Sequence, residues 1–285
     1  MSGVEGNRAA TGRAGLAGLT VGFFGLGEAG SLISADLASA GASVAGYDPA
    51  PVPTPEGVRR VTDPHNAVEG AGLVMAATAA TDAMHALVQA LDAIPAGAVY
   101  ADLATASPAR KQNLAAVAAT RSLAFADVAL MAMVPGNGLY AASLASGPGA
   151  ARYAELLAPA GVPVEVVGEG PGLAATRKLL RSVVLKGLPA LLIESLRAAE
   201  AAGLAAETWQ NLLGQLERLD AGFLLRLLEG TDTHSERRLA EMQAAAELLE
   251  SLGVAPTMTS ATTESLRRMP TEGLPNLPQP RPPAP

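Results

Sequence analysis

The chain has 285 residues, 49% hydrophobic but only 3% aromatic, with a formal net charge of −7 and no cysteine. That length suits one large or two ordinary domains around an aliphatic core, and the acidic balance argues against a nucleic-acid partner or an anionic membrane surface. The missing cysteines exclude disulfides, thiolate chemistry and cysteine–zinc sites, and His65, His85 and His234 are too scattered to form a metal-ligand pattern.

Residues 1–18 are small and polar, carry Arg8 and Arg13, and lack the apolar stretch of a secretory signal, so they read as a disordered tail. No stretch reaches ~18–20 uninterrupted apolar residues, so no membrane span and a cytoplasmic location are expected. The apolar run Val21-Gly22-Phe23-Phe24 then ends in Gly25-Leu26-Gly27-Glu28-Ala29-Gly30, a complete G-x-G-x-x-G. A helix-like segment follows from Ser31 to Ala38, then an apolar run Ser43 to Tyr47, then Asp48, which lies 18 residues past Gly30. Strand, glycine turn, helix, strand and acid in this order specify a dinucleotide site. In it Gly25 permits the turn, Gly27 lets the backbone approach a pyrophosphate, and Gly30 lets helix and strand pack closely. Glu28 suits the positive end of the helix but not a phosphate, so its side chain is expected to point away.

Further along, Leu73 to Ala77, Ala98 to Asp102 and Leu123 to Asp127 read as strands, and Thr81 to Leu91 and the segment from Pro108 as helices. Leu139 to Ser146 and Val162 to Val167 complete a strand–helix alternation that implies a mostly parallel sheet covered on both faces. His65 and His85 fall in helices of this half and read as structural. After residue 171 the strand pattern stops, and Leu, Ala, Glu and Arg recur at helical spacing, as in Leu239 to Leu252 before Gly253. Pro189 is expected to kink the long helix that begins near Leu173. Residues 269–285 are proline-rich and read as a disordered tail.

Two sets of side chains carry the chemistry. Asp48, at the end of the second strand, can accept hydrogen bonds from the adenosine ribose hydroxyls and repel a 2′-phosphate, which favours NAD over NADP. Two alternatives stay open: Tyr47-Asp48-Pro49 as a turn with an Asp cap, and NADP, with Arg59 and Arg60 approaching the phosphate. On the long helix, Lys178, Arg181, Ser182 and Lys186 fall within about 140° of arc, apart from Leu179, Leu180, Val183 and Val184. A lysine buried beside other cations loses its ammonium form more readily, so Lys178 can act as general acid/base. Arg181, with Ser182 or Lys186, can hold the polar end of an anionic small-molecule substrate. The alternative is a solvated helix face. His234 and Arg238, one helical turn apart, lie either at the active-site mouth or on a surface face. Thr105 reads as a cofactor or substrate contact and Ser107 as the cap before Pro108. Trp209, the one tryptophan, reads as a core or interface residue.

This organisation resembles the β-hydroxyacid dehydrogenase superfamily, which includes 3-hydroxyisobutyrate and 6-phosphogluconate dehydrogenases. Five places between Leu19 and Arg268 carry the resemblance. They are the glycine turn, Ala76-Ala77-Thr78 at the family's cofactor loop, Asp102 to Pro108 (similar to D-S-S-T-x-x-P), Asp127 to Met131 (at the place of D-x-P-V-S-G-G), and Lys178 to Ser182 (similar to K-x-x-N-N). The helical half is similar to a bacterial subgroup with a domain of unknown function, through Arg181-Ser182-x-x-x-Lys186-Gly187 and His234-x-x-Arg237-Arg238-x-x-Glu241-Met242. The resemblance implies an α/β fold: an NAD(P)-binding Rossmann domain over residues 19–170 and an all-α substrate and dimerisation domain over 171–268. It also implies hydride transfer with a small hydroxy acid or related carbonyl compound, Lys178 as catalytic residue, Ala77 and Thr78 at the cofactor, Asp127 near the substrate, and a homodimer through the helices. Three departures stand out: Ala104 replaces a Ser or Asn, the S-G-G after Asp127 is absent, and Arg181 replaces an asparagine. They leave the substrate unnamed, and leave imine reduction or a non-catalytic cofactor-binding paralogue as alternatives.

Overall fold

The structure, a computed structural model, describes residues 15–277. The expected tails therefore fall largely outside it. Where it describes their inner ends, Leu16 is buried in the core, and the last helix runs through Pro270 to Glu272 before Gly273, at φ +62°, ends it.

The chain divides into two compact units, residues 1–181 and 182–285. The first unit is built in the order β1 (Thr20–Phe24), α1 (Glu28–Ser39), β2 (Ser43–Tyr47), β3 (Val58–Val61), α2 (Pro64–Val68), β4 (Leu73–Ala76), α3 (Ala83–Val88), β5 (Val99–Asp102), α4 (Pro108–Ala119), β6 (Ala124–Leu130), β7 (Ser143–Ser146), α5 (Ala150–Leu157) and β8 (Val164–Gly168). Its eight strands form one sheet in the order β3-β2-β1-β4-β5-β6-β7-β8. Every neighbouring pair is parallel except β6 with β7. Two layers of apolar side chains cover it. Leu73 and Met75 point into one cluster with Val21, Ile33 and Leu37, while Val74 and Ala76 point into the other with Phe24, Leu87 and Phe125. Alternate residues of a strand face opposite sides, so a strand buried on both faces is apolar throughout, as β4 is.

Three elements differ from the expectation. β3 is formed by Val58-Arg59-Arg60-Val61, whose two charges hide a short edge strand. The segment from Leu139 splits into a 3-10 turn at Gly138–Tyr140 and the four residues of β7. The helix expected from Thr81 is shorter, Ala83–Val88.

The helical region begins with α6 (Leu173–Ala201), which starts in the first unit and continues into the second as one helix with Pro189 inside it. The second unit continues with α7 (Ala205–Leu216), α8 (Ala221–Thr233), α9 (Ser235–Ser251) and α10 (Thr257–Glu272). Gly253 follows α9 at φ +72°, as its place after the Leu239–Leu252 periodicity implies. Trp209 is 43% exposed within the single chain. Among the described residues no helix is long and apolar enough to cross a membrane.

A buried carboxylate holds the second unit together. No side chain of α10's own caps its start. Glu194, from α6, accepts instead from the N–H of Met258 at 2.7 Å and of Thr259 at 2.8 Å, and from the Thr259 hydroxyl at 2.7 Å. These bonds hold its carboxyl below the usual glutamate range against the opposing effect of burial. A carboxylate on a helix N-terminus also meets the positive end of the helix dipole. Glu194→Gln should destabilise the chain by about 1–3 kcal/mol near neutral pH. Because the folded-state pKa is lowered, the bonus of the native carboxylate exists above the unfolded glutamate pKa and fades as pH falls through the folded value. Thermal melts of both proteins from pH 7 to pH 3.5 should therefore converge in acid.

Candidate active site

The glycine turn sits at the C-terminal end of β1. Gly25 has φ +84°, and a Cβ there would lie 2.6 Å from the Ala77 carbonyl oxygen. A Cβ on Gly30 would overlap the carbonyl oxygen of Gly25. Both positions therefore exclude any side chain. Gly27 is different: it is exposed, and a Cβ there would meet nothing within 4 Å. Gly27 is also the N-cap of α1 and no side chain caps it, which leaves the first-turn N–H groups to face an anion. Leu26 is buried in the core, Ala29 packs against that core, and Glu28 is exposed.

Asp48 lies directly after β2. Its carboxylate accepts from the Leu26 N–H at 2.7 Å and from the Ala50 N–H at 2.8 Å, so it is clamped onto the glycine turn. Thr78 follows β4 and Ala77, and its Oγ1 is buried with no hydrogen-bond partner. An orphaned hydroxyl, an open cradle at Gly27 and an uncapped helix start together fit a dinucleotide.

Beyond β5, the N-terminal part of α6 meets the same edge of the sheet. The Lys178 ammonium donates to the Thr105 hydroxyl at 2.9 Å. The Arg181 guanidinium donates to the Met131 carbonyl oxygen at 2.6 Å. Beside Lys178 lies a narrow crevice lined among others by Ala104, Thr105, Asp127, Ala129 and Ala175. Ser107 is the N-cap of α4 and accepts from the Arg110 N–H. Ser182 and Lys186 follow on α6 in the second unit, as do His234, the exposed residue between α8 and α9, and Arg238, whose guanidinium donates to the Thr231 hydroxyl at 2.6 Å. His65 lies in α2 with its ring against the Gln89 carbonyl oxygen, and His85 in α3.

A buried charge cluster underlies the crevice, and two of its members were not singled out from the sequence. Lys111 is 1% exposed, and Asp102 and Asp127 are fully buried. The Lys111 ammonium donates to an Asp102 carboxylate oxygen at 2.8 Å and to its main-chain oxygen at 2.9 Å, and stands 3.1 Å from Asp127. The other Asp127 oxygen accepts from the Ser146 hydroxyl at 3.2 Å and from the Ala175 N–H at 3.0 Å. The Ser146 oxygen in turn accepts from the Ala174 N–H at 3.0 Å. Asp127 and Ser146 thus cap the first turn of α6 from the sheet, one turn before Lys178. Burial pushes the Asp102 carboxyl up, opposed by the adjacent ammonium. Lys111 falls on the buried stripe of α4, three residues before Leu114 and seven before Ala118. A lysine on an apolar stripe is the signal that points to a buried partner.

Lys111→Met would leave two buried carboxylates without a counter-charge. It should cost about 3–5 kcal/mol of stability near neutral pH. Burial already pushes the Asp102 carboxyl up, and without the ammonium it would titrate higher still in the folded variant, so the deficit should shrink as pH falls and it protonates. Denaturant titrations at pH 8 and pH 5 measure this.

Comparison with known proteins places this geometry. Residues 20–134 match the NAD binding domain of 6-phosphogluconate dehydrogenase. Residues 199–269 match a domain of unknown function, DUF1932. A curated relative, an uncharacterized 28.5 kDa protein of Methanothermus fervidus, is 32% identical over 123 residues, and the match spans 42% of this chain and about half of the relative, 47%. A conserved hypothetical protein from Sinorhizobium meliloti is 31% identical across 90% of this chain and 91% of its own, with a TM-score of 0.58. The conserved protein MTH1747, of unknown function and described as structurally similar to 3-hydroxyacid dehydrogenases, is 26% identical across 90% of this chain and 100% of its own, with a TM-score of 0.58. An imine reductase from Myxococcus stipitatus, solved with NAD+, shares the fold with a TM-score of 0.73 over 90% of this chain and 94% of its own, at 17% identity. The chain therefore joins an NAD-binding domain of the 6-phosphogluconate dehydrogenase type to a helical domain of unknown function, and belongs to the same family as the Sinorhizobium meliloti protein.

Proposed function

We propose that the protein is an oxidoreductase that moves a hydride between a nicotinamide cofactor, NAD in preference to NADP, and a small hydroxy acid or related carbonyl compound. The observation that carries this reading is the Lys178–Thr105 hydrogen bond, set on the same sheet edge as the glycine turn. The cofactor supplies the hydride chemistry when bound. The turn Gly25 to Gly30 holds its pyrophosphate, Asp48 its adenosine ribose, and Ala77, Thr78 and Thr105 border the path to the nicotinamide end. Lys178, as the neutral amine, takes the substrate hydroxyl proton when the carbon is oxidised, and as the ammonium returns it when the carbonyl is reduced. Thr105 aims the lysine nitrogen through its hydroxyl. Arg181 offers a fork for a carboxylate. Asp127 orients Lys178 through the first turn of α6.

A homodimer through the helical region is part of this reading. On α6, Leu180, Val183 and Val184 are each at least 66% exposed in the single chain. Apolar surface of this extent is usually covered by a partner, and a second copy covers it symmetrically. Light scattering at micromolar concentration should return about twice the 28.6 kDa chain mass.

Lys178→Ala should leave NADH affinity nearly unchanged and lower kcat by about 10²–10⁴-fold. The substrate for the assay would come from a thermal-stabilisation screen of hydroxy and keto acids with cofactor present. Wild-type turnover in Lys178→Ala would remove lysine catalysis from the account. Retained reduction of an imine by Lys178→Met would move the reaction to C=N bonds.

A further inference from the structure

Arg60 holds a loop that sits beside Asp48. It lies on β3 opposite Gly46 of β2, while the next residue back, Arg59, donates to the Asn66 carbonyl oxygen. The Arg60 guanidinium donates to three main-chain carbonyl oxygens, those of Asp48, Ala50 and Val52, the first at 3.1 Å. The loop between β2 and β3 is thus wrapped around one half-buried cation. The same loop provides the Ala50 N–H that fixes one oxygen of Asp48, while the Leu26 N–H fixes the other. The guanidinium orients the loop, the loop and the glycine turn orient the carboxylate, and the carboxylate faces the place of the adenosine ribose.

We propose that Arg60 is a specificity-determining residue of the cofactor site, and that it acts through Asp48 rather than as an anchor for a 2′-phosphate. The proposal rests on the reading that the β1–α1 turn holds the dinucleotide. With its donors committed to three carbonyls, Arg60 keeps the Asp48 carboxylate where it accepts from a ribose diol and repels a phosphate monoester. Without Arg60 those carbonyls lose their shared donor and the Ala50 N–H is no longer held. Asp48 then keeps one clamp of two. The diol loses its acceptor and the phosphate loses its opponent, so NADH weakens while NADPH does not. A single lysine ammonium cannot span three carbonyls with the planar fork of arginine, so charge alone does not restore the arrangement.

Calorimetric titration of NADH and NADPH into wild type, Arg60→Ala, Arg60→Lys and Asp48→Ser tests this, with circular-dichroism melts to verify folding. The expected result is a wild type that prefers NADH, and Arg60→Ala and Arg60→Lys proteins whose NADH affinity falls about tenfold while NADPH changes by less than about twofold. Asp48→Ser should narrow the same preference. Selective loss of NADPH binding in Arg60→Ala, rescued by Arg60→Lys, would overturn the proposal and make Arg60 a phosphate anchor. Equal weakening of both cofactors, or no change in either, would overturn it as well. If Arg60→Ala does not fold, Arg60→Lys and Asp48→Ser decide between the same outcomes. Failure of the underlying reading is separately visible, because the wild type would then bind neither cofactor.

Discussion

Parallel strand pairing is the constraint on which the candidate site depends. β2, β1, β4, β5 and β6 run side by side in one direction, so the turns that follow them all emerge at one edge of the sheet. Those turns carry Asp48, the glycine turn, Thr78, Thr105 and Met131 in that spatial order. Residues spread along the chain from Gly25 to Met131 thus fall along one line. Ligands of open α/β sheets bind at this edge because helix N-termini and loop N–H groups converge there. α6 contributes Lys178 and Arg181 to the far end of the same line through bonds to Thr105 and Met131.

Position along an edge is not orientation, and the buried charges supply the latter. Lys111, Asp102 and Asp127 are removed from water, which costs several kcal/mol per ion before their attraction is counted. The cluster ties α4, β5 and β6 to each other, and through Ser146 and the Ala174 and Ala175 N–H groups it ties β7 and the start of α6 to them. An apolar replacement could fill the same volume, but it could not cap a helix. The cluster is therefore better understood as a device that fixes where α6 begins, and so where Lys178 lies, than as a source of net stability.

The parts of the molecule that are local in sequence were legible there. The glycine turn combines a positive φ at Gly25, a close helix–strand approach at Gly30 and an acid after the next strand, and each demand leaves its own residue type. β4 is apolar throughout because both faces are covered. Features that arise from long-range contact were less visible. β3 is held by pairing with β2 and carries two arginines, so no pattern announces it. Asp127 drew attention as a possible substrate contact, yet nothing before folding shows that its oxygens meet Lys111, Ser146 and Ala175. Lys111 belongs to no motif, although its place on the stripe of Leu114 and Ala118 marks it. On α6, Leu180, Val183 and Val184 are exposed in the isolated chain, and periodicity reports such an apolar face but not what covers it.

The proposed function makes the edge from Asp48 to Lys178 one continuous cofactor and proton-transfer site. A crystal structure of the NADH complex tests it most directly. The expected complex has the pyrophosphate on the N–H groups at Gly27, the adenosine ribose on Asp48, and the nicotinamide ring in contact with Thr105 beside the Lys178 nitrogen. A nicotinamide ring lying away from Thr105 and Lys178, with the pyrophosphate still on the glycine turn, would contradict it.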